Sequence, residues 1–152
     1  MKLKSIYFIC LIVILSLTHT KAQDKGFGLG IILGEPTGLS AKYWTTSINA
    51  FDFGLGYSFS PKNSRFHFHI DYLFHTQLSG VEEKLLLHYG PGARIKTRED
   101  DDANLGVRGV IGITWIPRNA PVDLFIEIAP ILNLIPGTTF SINGGFGARF
   151  YF

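Results

Sequence analysis

The stretch FDFGLGYSF, Phe51 to Phe59, alternates strictly between two kinds of residue. Phe51, Phe53, Leu55, Tyr57 and Phe59 hold the odd positions, and Asp52, Gly54, Gly56 and Ser58 hold the even ones. Successive side chains of a strand point to opposite faces, so this pattern predicts a β-strand with one greasy face and one small or polar face. The segment after it repeats the pattern, with Phe66, Phe68, Ile70, Tyr72 and Phe74 on one face and His67, His69, Asp71, Leu73 and His75 on the other. Pro61, Lys62, Asn63 and Ser64 between the two are turn formers, so the pair reads as a β-hairpin.

The same period of two extends in both directions. Upstream lie Phe27, Leu29, Ile31 and Leu33, then Leu39, Ala41 and Tyr43 after a tight connection at Glu35 and Pro36. Downstream come Leu85, Leu87, Tyr89, Ala93 and Ile95, then Leu105, Val107, Ile111, Ile113 and Trp115, then Val122, Leu124, Ile126 and Ile128. A last segment runs from about Phe140 to Phe152, with Ile142, Phe146, Ala148 and Phe150 on its apolar face. The helical period is absent from nearly every window, and no stretch after Gln23 would span a bilayer as a helix. The fold class expected is all-β, an antiparallel up-and-down barrel of about eight strands, each roughly 9 to 13 residues long, as in the smallest outer-membrane barrels. With 152 residues there is no room for a second domain.

A period of two leaves open whether the apolar face looks inward, as in a secreted lipocalin-like ligand-binding barrel, or outward into lipid. The opposite face decides it. Gly28, Gly30, Gly54, Gly56, Gly90, Gly92, Gly106, Gly112, Gly145 and Gly147 all fall there, where a soluble barrel would show water a mixture of Lys, Glu and Thr. An eight-stranded lumen is barely wide enough for side chains, so glycines inside it make room for the few large polar groups that share it. Those groups are Lys42, Arg94, Arg108 and Arg149 against Asp52, Asp71, Asp123 and Glu127, a matched set of the kind a closed, water-poor lumen needs. The greasy face has no charge in the strand centres, as lipid requires. Tyr57, Phe59 and Phe66 toward one rim, and Tyr72, Phe74, Trp115, Phe150 and Phe152 toward the other, look like interfacial girdles.

Lys2 and Lys4 precede an apolar run from Ile6 to Leu17, and Thr20 and Ala22 are small residues at cleavage positions. Residues 1–22 therefore read as a secretory signal peptide, with the barrel domain over 23–152 and the outer membrane as destination. Cys10 lies inside the apolar run, so neither a lipid anchor nor a disulfide is expected from it. Without Lys2, Lys4 and Lys21 the chain has about 11 basic residues against 12 acidic ones, too even a balance for a nucleic-acid binder.

The ending Gly147, Ala148, Arg149, Phe150, Tyr151, Phe152 resembles the carboxy-terminal strand of outer-membrane proteins. In those proteins a terminal aromatic, here Phe152, is read by the barrel-assembly machinery. With its strand pattern, the chain resembles the small OmpA/OmpX-like barrels, and more narrowly a spirochaete-type family of outer-membrane barrels without assigned function. The resemblance implies a location and not an activity. Its exterior connections are shorter than those of OmpX, which argues against a protruding adhesive sheet.

Chemistry is sparse. His67, His69, Asp71 and His75 form the most suggestive cluster, because an H-x-H pair on a strand puts both imidazoles on one face at metal-binding spacing. A lumen hydrogen-bond network accounts for the same residues, so no metal, cofactor or catalytic residue is assigned. For a lipid-modifying enzyme, Ser58 and His67 would be cross-strand neighbours in a regular hairpin, but no carboxylate stands at that rim. Gly28 and Gly30 form a GxG that no helix follows, which excludes a phosphate cradle. The expected role is structural or interactive, not enzymatic, in a monomer surrounded by outer-membrane lipids. The fifth connection, Lys96 to Asn104, carries the acidic run Glu99, Asp100, Asp101, Asp102. Such a run stays solvated, or contacts a divalent cation or a basic partner through its hard oxygens.

Overall fold

The computed structural model describes residues 26–57, 64–80, 82–98 and 103–152. The eight strands are β1 (Gly26–Gly34), β2 (Thr37–Trp44), β3 (Asn49–Tyr57), β4 (Ser64–Gln77), β5 (Lys84–Arg98), β6 (Ala103–Ile116), β7 (Val122–Ile135) and β8 (Thr139–Tyr151). Each pairs antiparallel with its sequence neighbours, and β1 pairs with β8 to close the barrel. Pairing of β1 with β8 over Gly28–Gly34 and Gly145–Tyr151 covers the two strands that would be the edges of an open sheet, the liability of every such sheet. The all-β, up-and-down architecture read from the alternation is thus the observed one. The segment 1–22 read as a signal peptide, Ser58, Phe59 and the acidic run Glu99 to Asp102 lie outside the described residues.

Burial follows the alternation. Along β7 every second residue from Asp123 to Asn133 is buried and the residues between are exposed. Phe27, Ile31, Leu39, Tyr43, Val107, Ile126, Ile128 and Phe146 are among the large apolar side chains on the outer wall. No outward strand position whose side chain is described carries Asp, Glu, Lys or Arg. Phe51 and Tyr72 meet edge to face at 5.0 Å and Phe74 stacks on Tyr89 at 5.9 Å, building an aromatic belt at the end that carries the termini.

Strands β4 to β7 have 14 or 15 residues, longer than the alternation suggested. The stretch from Lys96 to Asn104, read as a connection, is mostly sheet: Lys96 pairs with Asn104 and Thr97 with Ala103. A lysine in a strand resembles a loop residue until its partner is known. Lys96 turns into the barrel mouth and meets Glu35 at 2.7 Å, so the pleat continues through it.

The stagger of the barrel decides which residues share a level. One row of paired residues runs Gly28, Lys42, Asp52, Asp71, Gly92, Arg108, Ile131, Ser141, yet Gly28 itself pairs with Tyr151, so the row climbs 10 residues in one circuit. Tilted strands and a fixed stagger are what closing a sheet of this size demands. The same row carries four charged residues from four different strands into the middle of the lumen.

Candidate functional site: the charged lumen

All eight charged residues assigned to the lumen are enclosed: Lys42, Asp52, Asp71, Arg94, Arg108, Asp123, Glu127 and Arg149 are each at most 5% exposed. Desolvated charges cost several kcal/mol each unless paired, so their partners decide what the lumen is.

At the end that carries the termini, Trp44, Ala50, Leu86, Ile116 and Tyr151 form an apolar floor. Tyr151 adds a polar tip, its hydroxyl donating to Asp123 Oδ2 at 2.6 Å. Above it Arg149 bridges two carboxylates: Nε donates to Asp123 Oδ1 at 3.0 Å and Nη1 to Asp52 Oδ1. Its guanidinium carbon lies 3.9 Å from the centroid of the Phe125 ring, a cation–π contact in a dry setting. Arg108 is the second bridge, with Nε 3.1 Å from Asp71 Oδ1 and Nη2 3.1 Å from Glu127 Oε1. On the other oxygen of Glu127 sits His88, whose Nε2 is 3.6 Å away and whose Nδ1 lies 2.9 Å from Thr114 Oγ1.

The four acids and four bases, a matched set by number, do not pair one to one. Lys42 donates to His75 Nε2 at 3.1 Å, and His75 Nδ1 donates in turn to the Ile48 carbonyl at 3.2 Å. Arg94 donates to the amide oxygens of Asn104, at 3.1 Å, and Asn133. Asn133 is held by its own amide, which reaches Thr139 Oγ1 at 3.0 Å. Together with Lys96 and Glu35 these residues roof the lumen at the far end.

His67 and His69 face inward together, as the H-x-H spacing requires, with His69 Nδ1 3.3 Å from His67 Nε2. The ring of His69 occupies the space over Gly54, where any β-carbon would overlap it, and the carboxylate of Asp71 fills the space over Gly92 in the same way. These glycines are the cavities into which neighbouring strands place large polar groups. His75 belongs to the Lys42 contact and stands apart from the H-x-H pair.

The hydrolase reading sets His67 directly across from Ser58. The β3–β4 register sets His67 opposite Gly56, two residues before Ser58 in the chain, so the register assumed for a regular hairpin differs from the observed one by two residues. Ser58 lies outside the described residues. His88 and Trp44 were not picked out in the sequence, although both sit between outward neighbours, Leu87 and Tyr89 in one case and Tyr43 in the other, and their parity alone points them inward. No family model, no curated protein and no solved structure matches this chain, and its functional reading stands on these lumen residues and on the wall that surrounds them.

Proposed function

We propose that this chain is a small outer-membrane barrel of the OmpA/OmpX-like kind, whose plugged lumen gives it a structural or surface-interaction role and not that of an open pore or an enzyme. One observation carries the proposal: charge is confined to one side of the wall. Buried lumen positions hold four acids and four bases, and the outward strand positions with described side chains hold none. A basic residue at the bilayer midplane costs about 2–4 kcal/mol, whereas a wall facing water has no reason to exclude charge. The same distribution disfavours a lipocalin-like barrel, which would bury the greasy face. On this reading outer-membrane lipids cover the wall, and the barrel-assembly machinery recognises β8 through Phe152, which packs 5.2 Å from Phe150. Contact with other molecules falls to the outer connections, the acidic run Glu99 to Asp102 among them.

The test is fractionation. The protein should sediment with outer membranes and migrate faster on gels unheated than boiled, as folded barrels do. Recovery as a soluble periplasmic protein without detergent would overturn the assignment. Comparison of envelope lipids from deletion and wild-type cells by mass spectrometry separates the roles, since an altered acyl pattern that the wild-type gene restores and Ser58→Ala or His67→Ala does not would overturn this assignment in favour of an enzyme.

A further inference from the structure

Four carboxylates in the middle of the lumen, those of Asp52, Asp71, Asp123 and Glu127, share two guanidiniums, those of Arg108 and Arg149. Four negative charges against two positive leave a deficit of two. Lys42 reduces it by one, although its ammonium is directed at His75 Nε2 and lies 5.3 Å from the Trp44 ring centroid. Arg94, bonded to two amide oxygens, stands at the roof.

Asp71 is where the deficit is felt. It is 1% exposed, and neither of its carboxylate oxygens receives a hydrogen bond. Arg108 Nε lies close to Oδ1 without being aligned to donate, and Oδ2 faces His69 Nε2 at 3.7 Å. A buried carboxylate oxygen with no donor calls for a cation or a missing partner. Asp52, His69 and Asp71 each present one ligand atom, and these three atoms lie within 4.8 Å of one another.

We propose that Asp52, His69 and Asp71 form a binding site for one divalent transition-metal ion, with Zn²⁺ the class their donors suit. Zinc takes imidazole nitrogen and carboxylate oxygen at about 2.0–2.2 Å, so two of its ligand atoms sit about 3.4 Å apart in a tetrahedral site. The His69 and Asp71 atoms, 3.7 Å apart, are nearly there, and the third ligand, within 4.8 Å of both, closes by up to about 1.4 Å. Three protein ligands leave the fourth position to water. Calcium and magnesium prefer all-oxygen shells of six or more, which the imidazole spoils. The outer shell is present as well. With His69 Nδ1 donating to His67 Nε2, the ring is held in place and Nε2 is left with its lone pair toward the ion. Arg149 and Arg108 oppose a further cation, and the excess of carboxylates outweighs them. The site rests on lumen geometry alone, independent of the membrane the barrel occupies.

The full chain, purified in detergent, stripped by chelator in denaturant and refolded with Zn²⁺, tests the site, with folding followed by heat-modifiable migration. After desalting, elemental analysis should find about one zinc per folded chain. Asp71→Asn, which keeps the side-chain shape, and His69→Ala should each lower retained metal at least about tenfold. Folded wild-type protein with less than about 0.1 ion per chain, or full retention in both lumen variants, overturns the proposal. Should both variants fail to fold, Co²⁺ in the wild type decides: intense visible bands of a low-coordinate nitrogen–oxygen site support it, and the pale spectrum of the aquated ion overturns it.

Discussion

Arg108 holds Asp71 and Glu127 at once, so its removal leaves two buried carboxylates without their cation. Arg108→Ala should destabilise the barrel by about 3–5 kcal/mol, the usual cost of breaking a buried pair, measured by denaturant unfolding in lipid vesicles. Arg94→Ala strands only the amide oxygens of Asn104 and Asn133, and the loss should be about 1–3 kcal/mol. The order of the two is the test; equal losses would mean that charge pairing is not what the middle of the lumen depends on. Gly54→Ala places a methyl group in the ring of His69 and should cost about 1–3 kcal/mol by overpacking, checked by the same unfolding experiment. Residue parity was enough to send all eight charges inward, because a strand's pleat is a local property. Their partners were not legible: nothing near Lys42 in the chain points to His75, 33 residues away.

Among the elements, β7 is the most regular, with Asp123, Phe125, Glu127 and Ala129 inside and Leu124, Ile126 and Ile128 outside. Ile126 is 60% exposed at mid-strand, so Ile126→Arg measures what its surroundings are. In a bilayer it should cost about 2–4 kcal/mol, read from unfolding midpoints in vesicles; a cost near zero would argue for water on that face. Strand existence was legible throughout and strand length was not. Alternation identifies a strand from its apolar members, and β5 continues through Lys96 because the lysine finds Glu35 across the mouth, a contact that exists only in the closed barrel. Register in the β3–β4 hairpin was not legible either, because a shift of two residues leaves every side chain on its face and so leaves the alternation unchanged while it changes which residue faces His67.

For the whole molecule, the layered interior has a direct consequence for transport. The apolar floor around Trp44 and Ile116, the two arginine bridges and the roof of Arg94, Asn133 and Lys96 occupy a lumen hardly wider than its side chains. Folded monomer in planar bilayers should therefore show no stable large conductance. Steady open channels from pure protein would refute the plug. Paired buried charges also hold the lumen together only as a set, so loss of one bridge should raise the flicker of small conductance before the barrel unfolds.

The sequence by itself determined that the chain is a barrel of eight strands with charge on one face and grease on the other. That information lies in neighbours two residues apart, and the backbone enforces it wherever a strand forms. Only the tertiary structure decided who meets whom inside. Arg149 reaches Asp52 across 97 residues of chain because β1 closes on β8 with the row of pairs displaced along the tilted strands. Stagger is a property of the closed sheet, so four acids that looked evenly matched by four bases in the sequence come to share two guanidiniums, and the middle of the lumen keeps a carboxylate, Asp71, that accepts no hydrogen bond.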